Sequence, residues 1–154
     1  MEAFEITFFC SHDKYDEKMT EVITEQFEKY NTFQKQSIVE VFYDNEKNFV
    51  QAVLSIFDFV IPEKKFEATL EKMSQYVSAV FEVIPNILFA TGIYELTAYF
   101  TDNKKHVVEF DNNFMANFPL IFLRKEHVVE FGEVIYTDAN IICVFNKDAQ
   151  IIIN

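Results

Sequence analysis

The chain has 154 residues, with 25 acids against 13 bases and only 2 glycines. A net charge of −12 disfavours nucleic acid and anionic membranes as partners and favours basic ones. Gly92 and Gly132 each stand alone, so the glycine-rich loop that cradles a phosphate or a dinucleotide is excluded.

Phe4–Cys10 is an aromatic and β-branched run and predicts a strand. Ser11-His12-Asp13 offers N-cap oxygens for a helix over Asp13–Tyr30, whose apolar stripe is Tyr15, Met19, Val22, Ile23, Phe27 and Tyr30. Ser37–Tyr43 predicts a second strand. Phe49–Val60 fits a helix nearly as well as a strand, but the turn-rich Asp44–Asn48 before it and its Phe, Val and Ile content favour a buried strand. Glu63–Val83 predicts a helix, with Glu63, Glu67 and Glu71 in its early turns, where the helix dipole favours acids. Pro85 ends it.

Beyond Pro85 only strand patterns follow. Asn86–Thr101 contains Gly92, a place for a bulge or bend. His106–Phe110, Phe118–Leu123, His127–Tyr136, Ile141–Phe145 and Gln150–Ile153 are separated by polar turns. The order predicts an α+β fold: a mostly antiparallel sheet with two amphipathic helices on one face, a β-α-β-β-α-β (ferredoxin-like) start, then a β-meander. No Pro-, Gly- or Ser-rich linker divides the chain, so one domain over residues 1–154 is expected.

Cys10 and Cys143 form no CxxC pair and no disulfide framework, and two buried reduced thiols are expected. Glu2 and Glu5 stand where a secretory signal would carry basic residues, and the longest apolar runs are broken by Asp58, Pro85 and Glu95. The expectation is a cytoplasmic protein.

Lys104–Phe110 (KKHVVEF) recurs as Lys125–Phe131 (KEHVVEF). Two His-x-x-Glu sets invite a metal, but residues three apart on a strand point to opposite faces, so two similar strands are the plainer expectation and no metal is assigned. Cys10-Ser11-His12-Asp13 holds nucleophile, base and acid types, yet neighbours in sequence rarely aim at one another. No hydrolase, metalloprotease, nucleotide-loop or kinase signature is present, and Arg124 is the sole arginine. The chain is therefore expected to be no enzyme and to need no cofactor.

The positive feature is the layout of acids. Glu17, Glu21, Glu25 and Glu28 follow i, i+4, i+8, i+11 on the first helix, opposite its apolar face, with Asp13 and Asp16 at the N-terminal end. A solvated helix face explains this. A docking strip for a cationic protein explains it too, with Asp13, Asp16, Glu17, Glu21, Glu25 and Glu28 as the partner-binding residues.

A small, acidic, cysteine-poor α+β chain without catalytic motifs resembles the bacterial toxin-neutralising immunity proteins in bulk properties, with no signature that carries over residue by residue. The resemblance implies an inhibitor that covers the basic active site of a toxin such as a nuclease. Two further functions fit the same properties: a DNA-mimicking inhibitor of a nucleic-acid-binding complex, and a small enzyme or ligand-binding domain with a pocket between sheet and helices.

Overall fold

The computed structural model describes residues 3–11, 17–30, 37–44, 49–57, 66–94, 115, 118–127 and 129–147. Within them the chain runs β1 (Ala3–Ser11), α1 (Lys18–Tyr30), β2 (Ser37–Asp44), β3 (Phe49–Phe57), α2 (Phe66–Val83), β4 (Ile87–Tyr94), β5 (Leu120–Arg124), β6 (Glu133–Thr137) and β7 (Ile141–Phe145). The strands form one sheet in the order β2-β3-β1-β4-β5-β7-β6, with every neighbouring pair antiparallel. The α+β class expected from the sequence is the class found.

The β1-α1-β2 connection passes over β3, and β3-α2-β4 passes over β1, so the two helical crossovers interleave. Both helices lie on one face. There Phe4, Ile6, Phe8 and Cys10 of β1 meet Ala52, Leu54 and Ile56 of β3, Met19, Ile23 and Phe27 of α1, and Leu70, Met73, Val77 and Val80 of α2. The ring of Tyr76 on α2 packs edge-on against Phe8 and Phe27, and its buried hydroxyl donates to the Ile23 carbonyl of α1 at 3.0 Å. Small residues in the middle strands make room for these rings. A Cβ on Gly92 would lie 2.9 Å from Leu120 and 3.2 Å from Phe4.

The opposite face also buries apolar residues. Phe9 and Phe89 stack at 4.5 Å, Phe118 packs against both, and Met115, Ile121, Leu123 and Val144 complete the cluster. Beside it runs a buried polar band of Glu5, Thr7, Gln51, Ser55 and Thr91. Strand β3 is thus buried on both faces from Val50 to Ile56. Double burial removes the polar alternation that marks a strand, which is why this segment reads almost as well as a helix.

Four expectations are corrected. Ser11, expected to open a helix, is the last residue of β1, paired with Phe49, and the described α1 is Lys18–Tyr30. Gly92 is neither bulge nor bend, since it pairs in register with Ile6, and the register shift lies at the Leu88 end of β4. At Gly92 it is crowding by the Leu120 and Phe4 side chains, not backbone freedom, that favours glycine. The last strands are not a meander, because β7 inserts between β5 and β6. Hairpin pairing holds for β6 with β7, but β5 also pairs with β7, which leaves β5 and β6 parallel.

The segment joining β5 to β6 must therefore return along the sheet, and at roughly 3.3 Å per extended residue it has the reach to do so. This overturns the strand expected over His127–Tyr136: only Glu133–Thr137 is strand, and Val129 and Phe131 instead pack onto the second apolar cluster as a cover. Lys125–Phe131, the second copy of the repeat, is thus not a strand. Residues 104–110, the first copy, and the strands expected at 106–110 and 150–153 lie outside the described residues, as do Glu63 and Asp58–Val60.

Candidate partner-binding surface

The α1 strip is where the helical period places it. Glu17, Glu21, Glu25 and Glu28 are all exposed, while Met19, Ile23 and Phe27 on the other side are buried. Asp13 and Asp16 lie outside the described residues. The strip rides on a helix fastened by three core side chains and by the Tyr76 hydrogen bond, so its carboxylates stand on a fixed backbone. It is convex and purely polar. Lys29 stands over the Tyr30 ring, 5.6 Å from its centre.

A second acidic surface was not apparent in the sequence. Between the outer side of α2 and the edge strand β6 lies a groove of about 490 Å³, lined by Glu67, Leu70 and Glu71 of α2, Glu133, Val134, Ile135 and Tyr136 of β6, and Phe145 of β7. Its carboxylates are exposed and its floor is apolar, and among the described residues no basic one lines it. Val134 and Ile135 are 50% and 39% exposed, which makes β6 an apolar strand at the edge of the sheet formed by the described residues.

Local hydrogen bonds set the position of β6. Asp138 in the β6–β7 turn accepts from the Asn140 and Ile141 amides at 2.8 and 3.0 Å and from the Tyr136 hydroxyl at 2.7 Å. Partial burial would raise the Asp138 carboxyl, but these donors, with Ser78, outweigh it and hold the group below the usual range. Tyr136 is pushed up, first by burial and then by the Asp138 hydrogen bond, with the Glu71 charge adding to the effect.

Residues with catalytic potential are occupied structurally. Arg124 donates to the Phe81, Ile84 and Ile87 carbonyls at 2.9–3.2 Å and stacks 4.9 Å from the Phe81 ring centre, closing the C-terminal end of α2. Cys10 and Cys143 are both buried free thiols, each pushed up to about 12 by burial, and in that state neither is a ready nucleophile. In the sheet β4 and β5 stand between their strands. Three strand spacings, roughly 14 Å, exceed the reach of a disulfide. His127 is exposed in the turn after β5, and His12 and His106 lie outside the described residues. Among the described residues no group of three His, Cys, Asp or Glu side chains is placed to hold a metal ion, and no helix is long and apolar enough to cross a membrane.

No protein-family model, no curated protein and no solved structure matches the chain. The functional reading therefore rests on its own surfaces.

Proposed function

We propose that this chain is an acidic binding protein that covers a basic surface of a protein partner, in the manner of a cytoplasmic immunity protein that neutralises a bacterial toxin such as a nuclease by occluding its active site. The observation that carries it is the α1 strip: Glu21, Glu25 and Glu28 on the helix and Glu17 just before it are all exposed, in a chain of net charge −12. Complementary charge speeds encounter and fixes orientation, and the effect weakens as salt screens it. The chain needs no catalytic group and no cofactor of its own to act in this way.

The test is capture of partners from the native host, followed by binding measurements with the Glu17→Lys/Glu21→Lys/Glu25→Lys variant. A basic partner whose activity the chain inhibits, and whose affinity the triple reversal weakens by about tenfold or more, is the expected result. A partner bound equally well by the variant removes the α1 strip. Competition by duplex DNA for that partner would instead support the DNA-mimicking mode.

A further inference from the structure

We infer that the groove between α2 and β6 is a docking site for a short, extended, lysine- or arginine-bearing segment of a partner protein, added alongside β6 as an extra strand. The inference is independent of the α1 strip, which lies on the other helix.

Three properties of the groove define its occupant. The sheet ends at β6, so one side of that strand carries no paired strand among the described residues. Such an edge offers amides and carbonyls that an extended chain can pair with. The two faces of β6 differ in chemistry. Glu133 and Tyr136 pair with Phe145 and Cys143 and so lie on the helix side, facing Glu67 and Glu71 across the groove, whereas Val134 pairs with Val144 and lies on the other side. A strand added at this edge places alternate residues on the two sides. Its helix-side residues meet carboxylates and its other residues meet exposed Val134, which calls for alternation of cationic and aliphatic side chains. The methylene stems of lysine or arginine also suit the apolar floor of Leu70 and Phe145, with the charged heads at the rim.

A second copy of the chain is a poor occupant. Symmetric edge pairing would bring two acidic groove rims, each with Glu67, Glu71 and Glu133, close together, and like charges brought near one another oppose the pairing. The register shift between Val134 and Tyr136 limits regular pairing to a short stretch, so the acids and the floor must supply much of the selectivity. A small polycation could use the carboxylates but not the strand edge, and the two modes are separable.

The experiment titrates the full chain, labelled with nitrogen-15, with a blocked hexapeptide alternating lysine and valine. Two ligands serve as comparisons: a hexapeptide of the same composition with the lysines and valines in blocks, and spermidine. Expected are amide shifts concentrated at 67–71 and 133–136, preference for the alternating peptide, and about tenfold weaker binding in Glu67→Lys/Glu71→Lys. The milder Glu133→Gln is expected to weaken binding by a smaller factor with an unchanged spectrum elsewhere. The α1 triple reversal is expected to leave the affinity within about threefold. Shifts centred on α1, equal binding of the block peptide or of spermidine, or no binding at about 1 mM peptide would each overturn the inference. Because the α1 reversal is measured alongside, loss of the groove site and loss of the α1 site give different patterns.

Discussion

The two acidic surfaces have the same charge and opposite shapes. On α1 the carboxylates stand on a convex helix face with no apolar residue among them, so water solvates each one and salt screens the row. Between α2 and β6 the carboxylates rim a concavity with an apolar floor. There a ligand's aliphatic parts leave water over the apolar floor while its charged heads meet exposed carboxylates at the rim. The strip suits long-range attraction and the groove suits local selection. They also differ in support: α1 hangs on three buried side chains and Tyr76, whereas β6, among the described residues, is paired on one side only and held by its turn.

Both surfaces depend on α2, and the largest expected effect strikes there. Arg124→Ala removes the guanidinium donor from the Phe81, Ile84 and Ile87 carbonyls and the contact with the Phe81 ring. The cost is about 3 kcal/mol, read as a lower urea midpoint, with strip and groove lost together in one transition. Arg124→Lys recovers only part of this, since one ammonium cannot match the guanidinium fork. If Arg124→Ala unfolded with the wild-type midpoint, α2 would have another cap.

Of these two surfaces, only the strip is legible in the sequence. Spacings of three and four over Glu17–Glu28 report a single helix face, and one element suffices to build it. The groove joins residues 67–71 to residues 133–145, and no local period reports a juxtaposition across so much chain. The signal that could have found it was partial: Glu67 and Glu71 are spaced to share an outer face of α2, and Val134-Ile135 is an apolar pair beside an acid. The partner strand had to be known first. Sheet order failed for a related reason. Consecutive strands are neighbours about two-thirds of the time, and the β5-β7-β6 order is an exception. The copy of the repeat at Lys125–Phe131 misled because alternating Val129 and Phe131 is what any extended segment shows when one side packs and the other is wet, whether or not its backbone joins a sheet. The first ninety-odd residues were more readable, since helix periods and the Pro85 stop fall inside single elements.

An intermediate effect separates the two surfaces. Gly132 sits at φ 65° at the entrance to β6, a conformation that disfavours any Cβ, and a Cβ there would lie 2.7 Å from the Phe145 carbonyl oxygen and from the Val144 side chain. Gly132→Ala is expected to cost about 1–3 kcal/mol. The displacement falls between β6 and β7, at the Phe145 backbone and the Val144 side chain, far from α1. Hydrogen exchange should quicken in 133–136 and remain unchanged in α1. Equal loss of protection in α1 would show that the two surfaces are not separable units.

The smallest effect is a titration, and its sign is fixed by the turn. Asp138 has its carboxyl held below the ordinary range in the folded chain, against about 3.9 for a free aspartate. A depressed folded value means that the carboxylate stabilises the fold above the unfolded value and loses that contribution as pH falls through the folded one. Asp138→Asn removes the titrating charge while keeping an acceptor. The stability gap between wild type and this variant should therefore be fully open at pH 7, begin to narrow below about pH 4, and close once Asp138 is protonated in the folded chain. Comparing the two proteins cancels the shared response of the other carboxylates, including the α1 row. Amide protection at Asn140 and Ile141, whose N–H groups Asp138 accepts, should fall over the same window. A gap that stayed constant from pH 7 to pH 3 would mean that the turn is held by shape and packing alone. The groove would then owe the position of β6 to the Val134–Val144 and Tyr136–Cys143 pairing rather than to a charge.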